Sequence, residues 1–252
     1  MKEWILSTEN LSRSFGGLAA VDQVTFRVKR HEVFGIVGPN GAGKSTLFNL
    51  IAGVLPPSHG TIEAFGQRID RLPTQKRCWM GIGRTFQASQ MFPTHTIGES
   101  LLSAGSAKHR GISGWLRPVD LDSDREEMRA LLPFIGLEGM EDALPSELTN
   151  LQQQKLAIGM ALMTGPELLL LDEPSGGLIE AEVLELLAFI RRIRDRGITI
   201  VVIDHKMRLM MALSDRMMVM SAGKMIALDT PKNIANDINV QNAYLGRPAS
   251  AD

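Results

Sequence analysis

Gly38-Pro39-Asn40-Gly41-Ala42-Gly43-Lys44-Ser45-Thr46 decides the reading of this chain. The pattern G-x-x-x-x-G-K-[ST] is a phosphate-binding loop when a strand leads into it and a helix leads out. Both neighbours fit. Residues 32–37 are a short, mostly apolar run. Residues 44–52 carry Leu47, Leu50 and Ile51 at helical spacing. The glycines let the backbone wrap closely, so that successive N–H groups point at phosphate oxygens. The start of the following helix adds partial positive charge. Lys44 supplies a point charge for the β- and γ-phosphates, and the Ser45 hydroxyl is suited to Mg²⁺.

The bulk of the chain agrees with a nucleotide-binding α/β domain. It has 252 residues, 44% of them hydrophobic, enough for one large domain with a sizeable core. With 27 basic and 28 acidic residues the net charge is −1, so nucleic acid is not expected as a partner. The single cysteine, Cys78, rules out an internal disulfide and suits a reducing compartment. No apolar run approaches the ~18 residues of a membrane span. Residues 1–7 lack the apolar core of a signal peptide. A cytosolic chain is expected, one that docks onto other chains if it works at a membrane.

The texture changes along the sequence. Residues 4–37 favour strands, with Val24-Thr25-Phe26-Arg27-Val28 alternating cleanly, and 59–66 reads as another strand between turns. From 88 to 164 strand signals fade, the best helices there being 124–135 and 151–163. Residues 105–118 read as a surface loop. Then β/α alternation returns. Leu168 to Leu171 is an apolar strand of the kind buried on both faces, 179–196 is a helix stopped by Gly197, and 198–203 is the next buried strand. A hairpin turns at Gly223. The expected architecture is a single domain over 1–252, a P-loop α/β core with a helical segment inserted at 88–164.

A second motif follows the apolar strand: Asp172-Glu173-Pro174. In open α/β sheets ligands bind at the carboxyl ends of the strands. Asp172 is the expected partner of Mg²⁺, directly or through water, and Glu173 the expected general base for the attacking water. Gln87 and His205 also follow strand runs. Alone, each is as well read as a structural residue. If the strands are parallel, Gly38, Gln87, Asp172 and His205 gather at one edge. His205 is then placed to contact the γ-phosphate, and Gln87 to ligate Mg²⁺ and sense that phosphate.

These motifs resemble, from Trp4 to Gly246, the ATP-binding subunits of ABC transporters. The resemblance implies a P-loop NTPase of the ABC-ATPase type, with an antiparallel β subdomain and an inserted helical subdomain. It implies ATP and Mg²⁺ as ligands, Phe15 as the aromatic that stacks on adenine, and Val21 as the apolar residue beside it. Gln87 falls at the Q-loop position and His205 at the switch-histidine position. Residues 15–21, Gly83-Arg84-Thr85-Phe86-Gln87 and Ala243-Tyr244-Leu245-Gly246 are most similar to subunits of branched-chain amino-acid importers. Urea or amide importers and some lipid-transport ATPases share parts of them. The implied partners are membrane permease subunits and a second ABC ATPase subunit, at the cytoplasmic face of the inner or cell membrane.

Three departures stand out. Where the family carries Leu-Ser-Gly-Gly-Gln, this chain has Leu148-Thr149-Asn150-Leu151-Gln152. Leu151 replaces the second glycine and is expected to crowd the approach to a partner-bound γ-phosphate. After Gly177-Leu178, where the family usually has Asp or Asn, stands Ile179. Lys206 follows His205, where Asp is common. The first two departures serve the same composite site, so a heterodimer with one working and one impaired site is expected. The alternatives are two equivalent sites, or a regulatory nucleotide-binding subunit with little turnover. Met207, Met210, Met211, Met217, Met218 and Met220 read as core filling or as a partner surface. Met91-Phe92-Pro93 reads as lining for a permease helix or as ordinary burial, and residues 191–196 as a solvated basic helix end.

Overall fold

The computed structural model describes residues 3–85, 93–109 and 121–245. Its centre is a six-stranded sheet in the order β10-β9-β3-β8-β7-β6. The strands are β3 (Val33–Val37), β6 (Ile82–Arg84), β7 (Leu168–Asp172), β8 (Thr199–Ile203), β9 (Arg216–Ser221) and β10 (Lys224–Asp229). β6, β7, β8, β3 and β9 run parallel, and β10 closes one edge antiparallel to β9. A second, four-stranded antiparallel sheet has the order β2-β1-β4-β5. It comprises β1 (Trp4–Phe15), β2 (Leu18–Lys29), β4 (His59–Ala64) and β5 (Gln67–Arg68).

The central strands are apolar on both faces because both faces are covered. Along β3, Val33 and Val37 join one hydrophobic cluster, while Phe34 and Ile36 join the other. β7 divides the same way, Leu169 and Leu171 against Leu168 and Leu170, and so does β8, Ile200 and Val202 against Val201 and Ile203. Period-two alternation thus sends alternate residues into two cores. One core lies toward α3 (Ile97–Gly105), α4 (Leu121–Ile135), α5 (Asn150–Leu162) and α6 (Glu180–Asp195). The other holds α1 (Lys44–Ala52) and the antiparallel sheet. Between β6 and β7 the described residues form helices and short 3-10 turns, without a strand. Gly105 closes α3 and 106–109 is a 3-10 turn, so the first residues of the expected loop are helical, and 110–118 lie outside the described residues.

Two devices hold α1 in place. Its end is capped by Gly53 in the left-handed region, whose N–H returns to Asn49 and Leu50 carbonyls. Arg77, on α2 (Thr74–Trp79), is buried beneath it and donates to the carbonyls of Leu50 and Ile51 at 2.6 and 2.7 Å. A buried cation thus satisfies carbonyls that the last helical turn leaves open.

The methionines resolve in favour of core filling. Met210 and Met217 are buried in one core, with Met207 and Met211 packed partly against it, and Met218 and Met220 are buried in the other. The basic end of α6 is more engaged than expected. The guanidinium groups of Arg192 and Arg196 lie over the Phe134 ring, 4.6 and 3.4 Å from its centroid.

Candidate active site

Parallel strands bring the motifs to one sheet edge. Ile36 pairs with Ile203, and Ile203 pairs with Asp172. The residues just past these partners, starting at Gly38, Glu173 and Asp204, therefore emerge side by side.

The loop after β3 is shaped by close backbone approaches. A Cβ on Gly38 would sit 2.2 Å from the Met220 carbonyl oxygen, and one on Gly43 2.1 Å from that of Ala20. Both positions also have positive φ, +152° and +96°. Gly41, at φ +78°, faces open space. Pro39 accepts a hydrogen bond from the Ala42 N–H, and Asn40 and Ser45 are exposed. Thr46 lies half-buried in the first turn of α1. No side chain caps α1, so its first N–H groups are left for an anion.

Lys44 is 6% exposed, and its Nζ donates to the Gly38 and Pro39 carbonyls at 2.7 and 3.0 Å. The side chain folds under the loop with its charge toward the cradle. Burial lowers its pKa from the ordinary value, while the charges of Glu173 and Asp204 act the other way.

At the end of β7, Asp172 is held by Arg84, whose Nη2 is 3.1 Å from Oδ2, and whose Nη1 reaches Asn49 Oδ1 at 2.7 Å. The same guanidinium stands 5.1 Å from the Phe48 ring centroid. Glu173 has φ +45°, an uncommon conformation for a non-glycine residue, and its N–H donates to the Ile203 carbonyl at 2.8 Å. Its carboxylate is 3.7 Å from His205 Nδ1. This is beyond hydrogen-bond distance but close enough for one small motion to join them. Among the described residues no group of three or more His, Cys, Asp or Glu is clustered for a metal. The oxygens present here, the Asp172 carboxylate and the exposed Ser45 hydroxyl, are of the kind Mg²⁺ takes, one or two protein groups beside waters and substrate phosphates.

Phe15, half-exposed, sits at the tip of the β1–β2 hairpin with the Arg13 guanidinium carbon 4.8 Å from its centroid. Val21 is buried in the core beneath. The hairpin reaches the loop through Ala20, packed on Gly43, and through the β9–β10 turn, where Gly223 accepts the Asp22 N–H and donates its own to the Ala42 carbonyl. Gln87, Met91 and Phe92 lie outside the described residues.

The degenerate segment needs a correction. Leu151 does not project outward. It is 7% exposed and belongs to the core under the sheet, which also contains Leu156 and Leu178. The reason is helical geometry. Thr149 caps α5, its Oγ1 accepting the Gln152 N–H while Gln152 Oε1 accepts the Thr149 N–H. This capping box sets Leu151 on the inward face and leaves Thr149 and Asn150 exposed. The crowding expected of Leu151 at a partner-bound γ-phosphate draws no support from this inward placement. Thr149-x-x-Gln152 was readable as a capping box from its spacing alone. Ile179, just before α6, is an apolar residue left 68% exposed.

Three engaged residues were given no role of their own by the sequence. Arg84 holds Asp172. The buried carboxylate of Asp204 accepts the Ser175 N–H at 3.2 Å and the Lys206 N–H at 2.9 Å. Tyr244, on α9 (Ile238–Leu245), places its hydroxyl near the Gly38 backbone. Burial pushes its hydroxyl pKa up to about 12, against the effect of that backbone group.

The sequence profile of the ABC transporter family matches residues 21–176. The chain belongs to the ABC transporter family. Among curated proteins, it is 38% identical over 253 residues to the high-affinity branched-chain amino acid transport ATP-binding protein LivG of Escherichia coli K12, covering 98% of this chain and 99% of that protein. It is 36% identical over 256 residues to BraF, a protein of the same description from Pseudomonas aeruginosa, with the same coverage. Among solved structures, the ADP conformation of MJ1267, an ATP-binding cassette of an ABC transporter, superposes with a TM-score of 0.87 at 30% identity. That match covers 98% of this chain and all of the other. ABC ATPases hydrolyse ATP to power transport. No helix among the described residues of this cassette is long and apolar enough to cross a membrane.

Proposed function

We propose that this chain is the ATP-hydrolysing subunit of an ABC importer for branched-chain or related amino acids. It works through membrane permease subunits, peripherally, at the cytoplasmic face. The observation that carries the reading is the meeting of the Lys44 loop, Asp172, Glu173 and His205 at one edge of the parallel sheet. The near full-length likeness to LivG and BraF supports the importer and its solute class.

In this reading Phe15 stacks on the adenine, with Val21 beneath it. The Gly38–Thr46 loop and the open start of α1 bind the phosphates, and Lys44 turns its charge from the loop carbonyls to them. Mg²⁺, held by Ser45, Asp172 and Gln87, would neutralise developing charge on the phosphates. Glu173 orients and polarises the attacking water, and His205 closes on the γ-phosphate from the other side. Residues 88–164 form the helical subdomain that meets the permease.

Two ATPase subunits sandwich ATP, and the second is a different chain. That part of the proposal now rests on exposed Ile179, since Leu151 is turned inward. The test is affinity purification of the tagged chain from detergent-solubilised membranes, followed by reconstitution in vesicles. Co-purifying permeases, a second ATPase and leucine uptake driven by internal ATP are expected. Recovery without permeases would overturn the transport reading.

A further inference from the structure

The loop joining Glu173 to α6 has no regular structure, yet each of its four carbonyls from Ser175 to Leu178 accepts a side-chain hydrogen bond. Lys206 Nζ donates to the carbonyls of Ser175 and Leu178 at 3.0 and 3.2 Å. Gln154 reaches Gly176 at 3.5 Å, and Asn150 reaches Gly177 at 3.4 Å. Both of the latter donors lie on α5. The loop is therefore gripped from two sides. One grip comes from the first turns of α5, and the other from the segment that carries His205.

The second grip closes a ring. Asp204 accepts the N–H groups of Ser175 and Lys206, one on each carboxylate oxygen, and Lys206 Nζ returns to the Ser175 carbonyl. His205 is the residue between the two that close this ring. An ammonium shared by two carbonyls makes charge-assisted bonds, stronger than neutral ones in a part-buried setting. Ile179, exposed, is the first residue beyond the clamp. A displacement at Ile179 thus acts on His205 through bonded atoms, without passing through the nucleotide.

We propose that Lys206 is a positioning residue for ATP hydrolysis. It makes the docking of the Ile179 turn on a partner subunit and the placement of His205 beside Glu173 a single movement. The proposal rests on the ATPase reading above and deepens it by naming the residue that couples the interface to the site. An aspartate in place of Lys206 would carry no donor for these carbonyls.

The experiment uses the complex purified through this chain, with Lys206→Met and Lys206→Arg beside the wild type. Lys206→Met should lower kcat at least about fivefold with KM nearly unchanged, and calorimetry on the isolated chain should find Mg-ATP affinity within about twofold of wild type. Lys206→Arg, which keeps a charged donor, should recover most of the turnover. Hydrogen exchange in Lys206→Met should show Ser175–Leu178 and His205 losing protection together. Unchanged turnover in Lys206→Met would overturn the proposal. So would equal loss in the two folded variants, or affinity falling in step with kcat. If Lys206→Met does not fold, Lys206→Gln carries the same comparison through its single neutral donor. A wild-type chain that binds no Mg-ATP would instead overturn the ATPase reading, and the exchange result would still judge the clamp.

Discussion

Arg84 and Asp172, 88 residues apart in sequence, form an ion pair of 3.1 Å at the end of β7. The same guanidinium bonds Asn49 on α1, so the acid of the second motif is tied to the helix of the first. Its fork geometry permits both contacts at once, which a lysine ammonium does not reproduce.

Removing that guanidinium leaves a mostly buried carboxylate without its partner. Arg84→Gln is expected to lower the stability of the nucleotide-free chain by about 1–3 kcal/mol. Mg-ATP should restore part of the loss, because a cation returns near Asp172. Urea unfolding with Mg-ATP and with ATP plus EDTA measures both effects. Equal stabilisation of mutant and wild type by Mg-ATP would separate Asp172 from the metal.

Lys44→Ala removes the charge folded beneath the phosphate loop. Affinity for Mg-ATP should fall at least tenfold, about 1.4 kcal/mol. Calorimetry on the purified chain reads this directly, and unaltered affinity would remove the central assignment.

Leu151 belongs to the core, so its replacement is expected to act on folding before assembly. Leu151→Ala should cost about 2–5 kcal/mol of stability. Thr149→Ala, which breaks the capping box, should cost about 1 kcal/mol. Thermal and urea unfolding of the two variants would show the order. If Leu151→Ala left stability intact and promoted ATP-dependent dimerisation in sedimentation, the side chain would have to turn outward on assembly.

Catalytic asymmetry is testable in the complex. In the proposed heterodimer the productive site would contain this chain's Lys44, Asp172, Glu173 and His205, and the impaired one would borrow its Ile179. Glu173→Gln should abolish nearly all turnover, through loss of the base. The corresponding change in the partner ATPase should cost much less. Steady-state rates of the two mutants decide. Equal losses would mean equivalent or strictly coupled sites.

Local pattern carried much of this protein. Glycine and lysine at fixed offsets after an apolar run specify a phosphate loop, because backbone curvature and helix start are short-range properties. The apolar runs at β7 and β8 announced strands covered on both faces, since period two leaves no polar side. From these, the parallel edge that gathers Gly38, Asp172 and His205 followed.

The tertiary structure decided what depends on direction and on distant partners. A substitution at the second glycine position is visible as spacing, but the inward turn of Leu151 comes from how its helix is capped and packed. The grip of Arg84 on Asp172, and of Lys206 on the Ser175–Leu178 carbonyls, joins segments separated by tens of residues. Side-chain hydrogen bonds form where folding brings donor and acceptor within about 3 Å, and sequence spacing holds no record of that distance.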